Sequence, residues 1–84
     1  MFVVNIIDED DGSLNTAVFH TYDNAFNFIR KDLEDHEHMN EDEPYLSKED
    51  FKEVIGEASE ALRQRGVYER ANIFYYIDEV EYED

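Results

Sequence analysis

The apolar residues of this chain recur at two periods, and the points where the period changes constrain the fold most. In residues 2–7 both alternating faces are apolar, Phe2, Val4 and Ile6 on one and Val3 and Ile7 on the other. That pattern predicts a central strand covered on both sides. Asp8 to Ser13 reads as a turn, with Asp11-Gly12 as its hairpin signal. Leu14 to Thr21 reads as a second strand, with Ala17 and Phe19 on one face and Leu14, Thr16 and Val18 on the other. The period then lengthens. Tyr22, Ala25, Phe26, Ile29 and Leu33 make one stripe on a helix that Thr21 or Asp23 can cap and that runs to about His38. Asn40 to Pro44 is a loop. Ser47, with Asp50 three residues on, opens a second helix whose stripe is Phe51, Val54, Ile55, Ala58 and Leu62. Arg63 and Arg65 suit the negative end of its dipole, and Gly66 stops it. Strand spacing returns from Ile73 to Tyr82, with Ile73, Tyr75 and Ile77 on one face and Phe74, Tyr76, Val80 and Tyr82 on the other.

The predicted fold is a single small α+β domain over residues 1–84, β-β-α-α-β. Two antiparallel helices return the chain so that its third strand runs with the first. This gives a three-stranded mixed sheet, order 2-1-3, with both helices on one face. The other face is left open to solvent or a partner, with tyrosines on it.

Composition enters through charge. The 84 residues include 23 Asp or Glu against seven Lys or Arg, a net charge of −16, yet 42% are hydrophobic and twelve are Phe or Tyr. Chains this acidic usually stay disordered because they bury too little apolar surface. Here the apolar content is that of a folded domain, so the charge belongs on its outside, where self-repulsion makes it costly. The acids form four clusters: the turn Asp8–Asp11; the segment Asp32, Glu34, Asp35, Glu37, Glu41, Asp42 and Glu43; the second-helix stripe Glu49, Glu53, Glu57 and Glu60; and the tail from Asp78 to Asp84. Such a surface repels nucleic-acid phosphates and anionic membranes and attracts basic proteins. No run approaches the ~20 apolar residues of a membrane span. There is no cysteine, and the amino terminus lacks the basic start of a signal peptide. The expected setting is cytoplasmic.

Candidate chemistry is thin. With Gly12 at the sixth position of a calcium loop, Ile7 and Val18 would have to ligate, and neither can. His36 and His38 do not share a helix face, so a metal site with His20 is not expected. Ser13, Ser47 and Ser59 read as turn, cap and helix surface, and no glycine-rich phosphate loop exists. Arg63, Arg65 and Arg70 are the only basic patch, read as capping or internal pairing. No enzyme activity, metal or cofactor is expected.

In size, in charge and in the segments DEDDG, DLEDHEHMNEDE, EDFKEVIGEASE and DEVEYED, the chain resembles the small acidic proteins with which phages disarm host nucleases. These are DNA-mimic anti-CRISPR proteins, uracil-DNA glycosylase inhibitor and anti-restriction proteins. The resemblance implies an inhibitor in the bacterial cytoplasm that occupies the DNA-binding surface of a CRISPR effector nuclease. The expected contact residues are the Asp32–Glu43 acids and the Glu49/Glu53/Glu57/Glu60 stripe, with Tyr75, Tyr76 or Tyr82 as anchors. The same electrostatics would serve an antitoxin or immunity protein against a basic toxin nuclease. An open sheet face would also serve a homodimeric structural module.

Overall fold

The computed structural model describes residues 1–81. Its first hairpin pairs β1 (Phe2–Asp8) with β2 (Ser13–Phe19) in unbroken antiparallel register from Phe2↔Phe19 to Asp8↔Ser13. Gly12 takes the positive φ the turn needs, 73°, and its N–H donates to the Asp8 carbonyl at 2.8 Å. Helix α1 (Tyr22–His36) starts where the Thr21 hydroxyl accepts from the Asn24 N–H. Helix α2 (Lys48–Arg65) starts likewise at Ser47, which accepts from Asp50. Each cap satisfies one of the donors that a helix start leaves free. Gly66 ends α2 in the left-handed conformation, donating to the Leu62 carbonyl, as its lack of a Cβ allows.

Two strands follow α2 rather than one. β3 (Val67–Arg70) turns through Ala71 and Asn72 into β4 (Ile73–Glu79). The expected three-stranded mixed sheet is therefore a four-stranded antiparallel one, in order β2-β1-β4-β3. The extra strand reverses the chain, so β4 runs against β1, with Phe2 opposite Glu79 and Asp8 opposite Ile73. β3 is hard to see because it is four residues long and carries only two apolar side chains. Its turn also lacks glycine. Ala71 and Asn72 both adopt positive φ, 51° and 64°, as a two-residue turn of the I′ kind demands.

Both helices cover one face of the sheet. α1 lies over β1, β2 and β4, and α2 over β3. Val4 and Ile6 from β1, Ile73, Tyr75 and Ile77 from β4 and Tyr68 from β3 are buried against Ala25, Ile29, Leu33, Val54, Ala58 and Leu62. Ala25 and Ala58, fully buried, bring the helix backbones close to the strands. Truncating Ile29 or Leu33 to Ala would cost ~2–5 kcal/mol. The central position of β1 agrees with its sequence, but its cover does not. Its outer face is open, with Ile7 36% exposed beside Leu14 at 62% and Val18 at 53%.

Candidate acidic binding surface

The second helix carries its glutamate stripe and its lysines on opposite flanks. At 100° per residue, Val54, Ala58, Ala61 and Leu62 face the sheet. Glu49, Glu53, Glu57 and Glu60 fall on one flank and Lys48 and Lys52 on the other. The glutamate flank looks toward β3. There Glu57, Glu60, Ala61, Gln64, Arg65 and Tyr68 line an open groove of about 370 Å³. The lysine flank looks toward α1 across a second groove, with Arg30 and Glu34 on its far wall and Phe51 and Ile55 among its lining. All four stripe glutamates are exposed, and none is within ion-pair distance of a cation among the described residues. Glu60 accepts a hydrogen bond from Gln64 at 3.2 Å. Arg63, which could have relieved the stripe, sits instead with its guanidinium 5.8 Å from the Tyr22 ring centre.

The Asp32–Glu43 acids do not form one surface. Asp32 turns inward and accepts from the Tyr75 hydroxyl at 2.8 Å, with His36 Nε2 3.4 Å away. Glu37 is only 14% exposed and receives Arg70 Nε at 3.0 Å, tying the end of α1 to β3. Glu34 faces Arg30 at 3.8 Å. Asp35, Glu41, Asp42 and Glu43 remain outside, although Glu41 lies 2.6 Å from His38 Nδ1. The turn acids have structural work too. Asp8 accepts from the Asp10 N–H and Asp11 from the Ser13 N–H, and hydrogen bonding by Ser13, from its side chain first and then its N–H, holds the Asp11 carboxyl below the usual range.

The predicted aromatic anchors are dispersed. Tyr75 is fully buried and presents no surface to a partner. Burial, with the Asp32 carboxylate behind it, pushes its hydroxyl pKa well above the ordinary tyrosine value. Tyr76 stacks with Phe74 on the open sheet face, away from both helices. Tyr82 lies outside the described residues. Two other rings accompany the acids. Tyr45, 69% exposed, packs its ring 4.2 Å from His38 in the acidic loop. Tyr68 stacks 6.3 Å from Tyr75 and lines the groove beside Glu57 and Glu60. Tyr45 was detectable as an aromatic between Pro44 and Leu46 that belongs to neither helical stripe. Tyr68 could not be placed without β3.

No protein-family model, curated protein or solved structure matches this chain. Among the described residues no helix is long and apolar enough to cross a membrane, and no three His, Asp or Glu side chains are grouped to hold a metal ion.

Proposed function

We propose that the protein is a non-catalytic, acidic mimic of nucleic acid that occupies the DNA-binding surface of a basic nuclease in the bacterial cytoplasm. A CRISPR effector is the favoured target and a phage the favoured source. One observation carries the reading: four exposed glutamates, without ion pairs among the described residues, share one flank of α2, while Lys48 and Lys52 lie on the other and only Arg65, at the end of the helix, shares the groove beside Glu57 and Glu60. Glu49 to Glu60 spans ~16 Å of helix axis, about one carboxylate per 5 Å, against one phosphate per ~3.4 Å of axis in a DNA strand. Like charges at this spacing cost the helix a few tenths of a kcal/mol per pair. A basic partner recovers that cost by bringing cations to the ridge and gains rate from electrostatic steering. Asp35, Glu41, Asp42 and Glu43, exposed between the end of α1 and the start of α2, offer further carboxylates to such a partner, with Tyr45 an exposed ring among them.

The test is inhibition of DNA cleavage by a panel of purified CRISPR effectors, with wild-type protein and with E49Q/E53Q/E57Q/E60Q. Inhibition that fades with added salt and is lost in the variant supports the reading. Full inhibition by the variant contradicts it. Selective neutralisation of a basic toxin nuclease, with no effect on any effector, would transfer the same surface to an antitoxin.

A further inference from the structure

The edge of the sheet farthest from β3 is unguarded. Gly12 to Tyr22 is the longest stretch of the chain without Asp, Glu, Lys or Arg, and it contains β2. Exposed edge strands are ordinarily blunted by charge, proline, bulges or shortness, because their free N–H and C=O groups recruit other strands. β3, the other edge, is four residues long and carries Glu69 and Arg70. β2 is seven residues long, in continuous register with β1, and has none of these guards. Among the described residues, no backbone group from Leu14 to Phe19 bonds outside the β1 ladder. Leu14 and Val18 stand exposed on the open face of this strand.

We propose that β2 pairs antiparallel with β2 of a second copy of the chain, about a twofold axis at Thr16, joining two four-stranded sheets into one of eight. The sequence of the strand is self-complementary in that register. Leu14 of each copy falls opposite Val18 of the other, and Thr16 opposite Thr16, all on the open face. Apolar and Thr–Thr cross-strand pairs of this kind are favourable, and an isologous contact uses one patch twice. Charge placement selects a copy of this chain as the occupant. The groove where α1 meets the end of β2 is lined by Phe19, Asn24, Asn27, Phe28, Arg30 and Lys31, without a carboxylate. The glutamate ridge lies at the opposite edge of the sheet, beside β3. Two strongly acidic molecules therefore meet with least repulsion along β2, and the pair leaves both ridges facing outward. The inference is independent of the mimic reading, because salt moves the two associations in opposite directions. Screening weakens binding to a basic partner and strengthens contact between two acidic copies.

Sedimentation velocity of the full chain over a range of protein and NaCl concentrations tests it, with hydrogen exchange on the same samples. The expected result is a species of twice the 10.0 kDa chain mass that grows with salt, with slowed exchange at the outward-facing amides of β2. L14K/V18K places lysines opposite each other and should weaken the dimer roughly tenfold or more, although it lowers the net negative charge. A monomer under every condition overturns the proposal. So does a dimer that survives the double substitution, or one whose β2 amides exchange as fast as the monomer's. Should the variant fail to fold, the wild-type exchange pattern decides alone.

Discussion

The two edges of the sheet contrast in length, charge and the way they are held. The β3 edge is short, charged and bonded to α1 by polar contacts, Arg70 to Glu37 and, one strand in, Tyr75 to Asp32. The β2 edge is long and uncharged, and α1 holds it through rings, Phe28 lying 5.4 Å from Phe19. The contrast shows that a net charge of −16 is not spread evenly. Some carboxylates turn inward to fasten β3 and β4, others stand free on the α2 flank, and the far edge carries none. The proposed binding to a basic partner and the proposed pairing of two copies thus draw on different edges of the same sheet.

Removing the charge from the ridge should have the largest effect. E49Q/E53Q/E57Q/E60Q should lower affinity for a basic nuclease on the order of a hundredfold and leave β2 association intact, which titration calorimetry and sedimentation would separate. Next comes the polar fastening. Tyr75→Phe should cost about 2 kcal/mol at neutral pH, because a hydrogen bond to a charged group is lost. Its pH dependence has a definite sign. In the unfolded chain tyrosine ionises near pH ~10, and the folded protein resists ionisation of Tyr75 by burial and of Tyr68 by burial as well. The stability from the protonated hydroxyls is therefore complete below that pH and lost as pH rises above it. Urea melts should show a steep alkaline decline, shallower in Tyr75→Phe. If the wild-type midpoint were flat into strong alkali, the buried hydroxyl would not be as described.

L14K/V18K follows, with its roughly tenfold loss of dimer and no loss of nuclease binding. Arg70→Ala should cost about 1–2 kcal/mol, since Glu37 is left largely enclosed without its cation while Arg70 itself is partly solvated. Thermal melts would show it, and an unchanged midpoint would mean that the pair contributes nothing. The smallest effect is a gain. Ala71→Gly relieves a non-glycine residue at positive φ and should stabilise the β3–β4 hairpin by about 0.5–1 kcal/mol. A loss of stability there would mean that the turn is not strained.

Long, regular patterns were legible in the sequence and short ones were not. The stripes through Ile29, Leu33, Val54 and Ala58 predicted both helices; Ser47 and Gly66 marked the ends of α2 as found, and of the two cap candidates for α1, Thr21 and Asp23, it is Thr21 that caps a helix ending at His36. Alternation separated the two faces of β2 and β4, but for β1 it predicted cover on both sides, and the outer one is open. β3 escaped because Val67-Tyr68 is too short to show a period and Ala71-Asn72 does not announce a tight turn. Missing it left β4 running parallel to β1 rather than against it. At the candidate surface, i, i+4 spacing placed Glu49, Glu53, Glu57 and Glu60 on one flank. Spacing could not show which acids turn inward. Asp32 and Glu37 find partners 43 and 33 residues away, Tyr75 and Arg70, and only tertiary structure supplies those. Tyr75 looked available as an anchor because period 2 separates two faces without saying which one the helices cover.

The central claim is that the α2 ridge is the surface a basic partner grips. The most direct measurement captures proteins from a bacterial lysate on immobilised wild-type and E49Q/E53Q/E57Q/E60Q chains, washed with graded NaCl and identified by mass spectrometry. The predicted result is a set of DNA-binding nucleases that elutes from wild type as salt rises and is absent from the variant. The same set retained equally by both chains would contradict it.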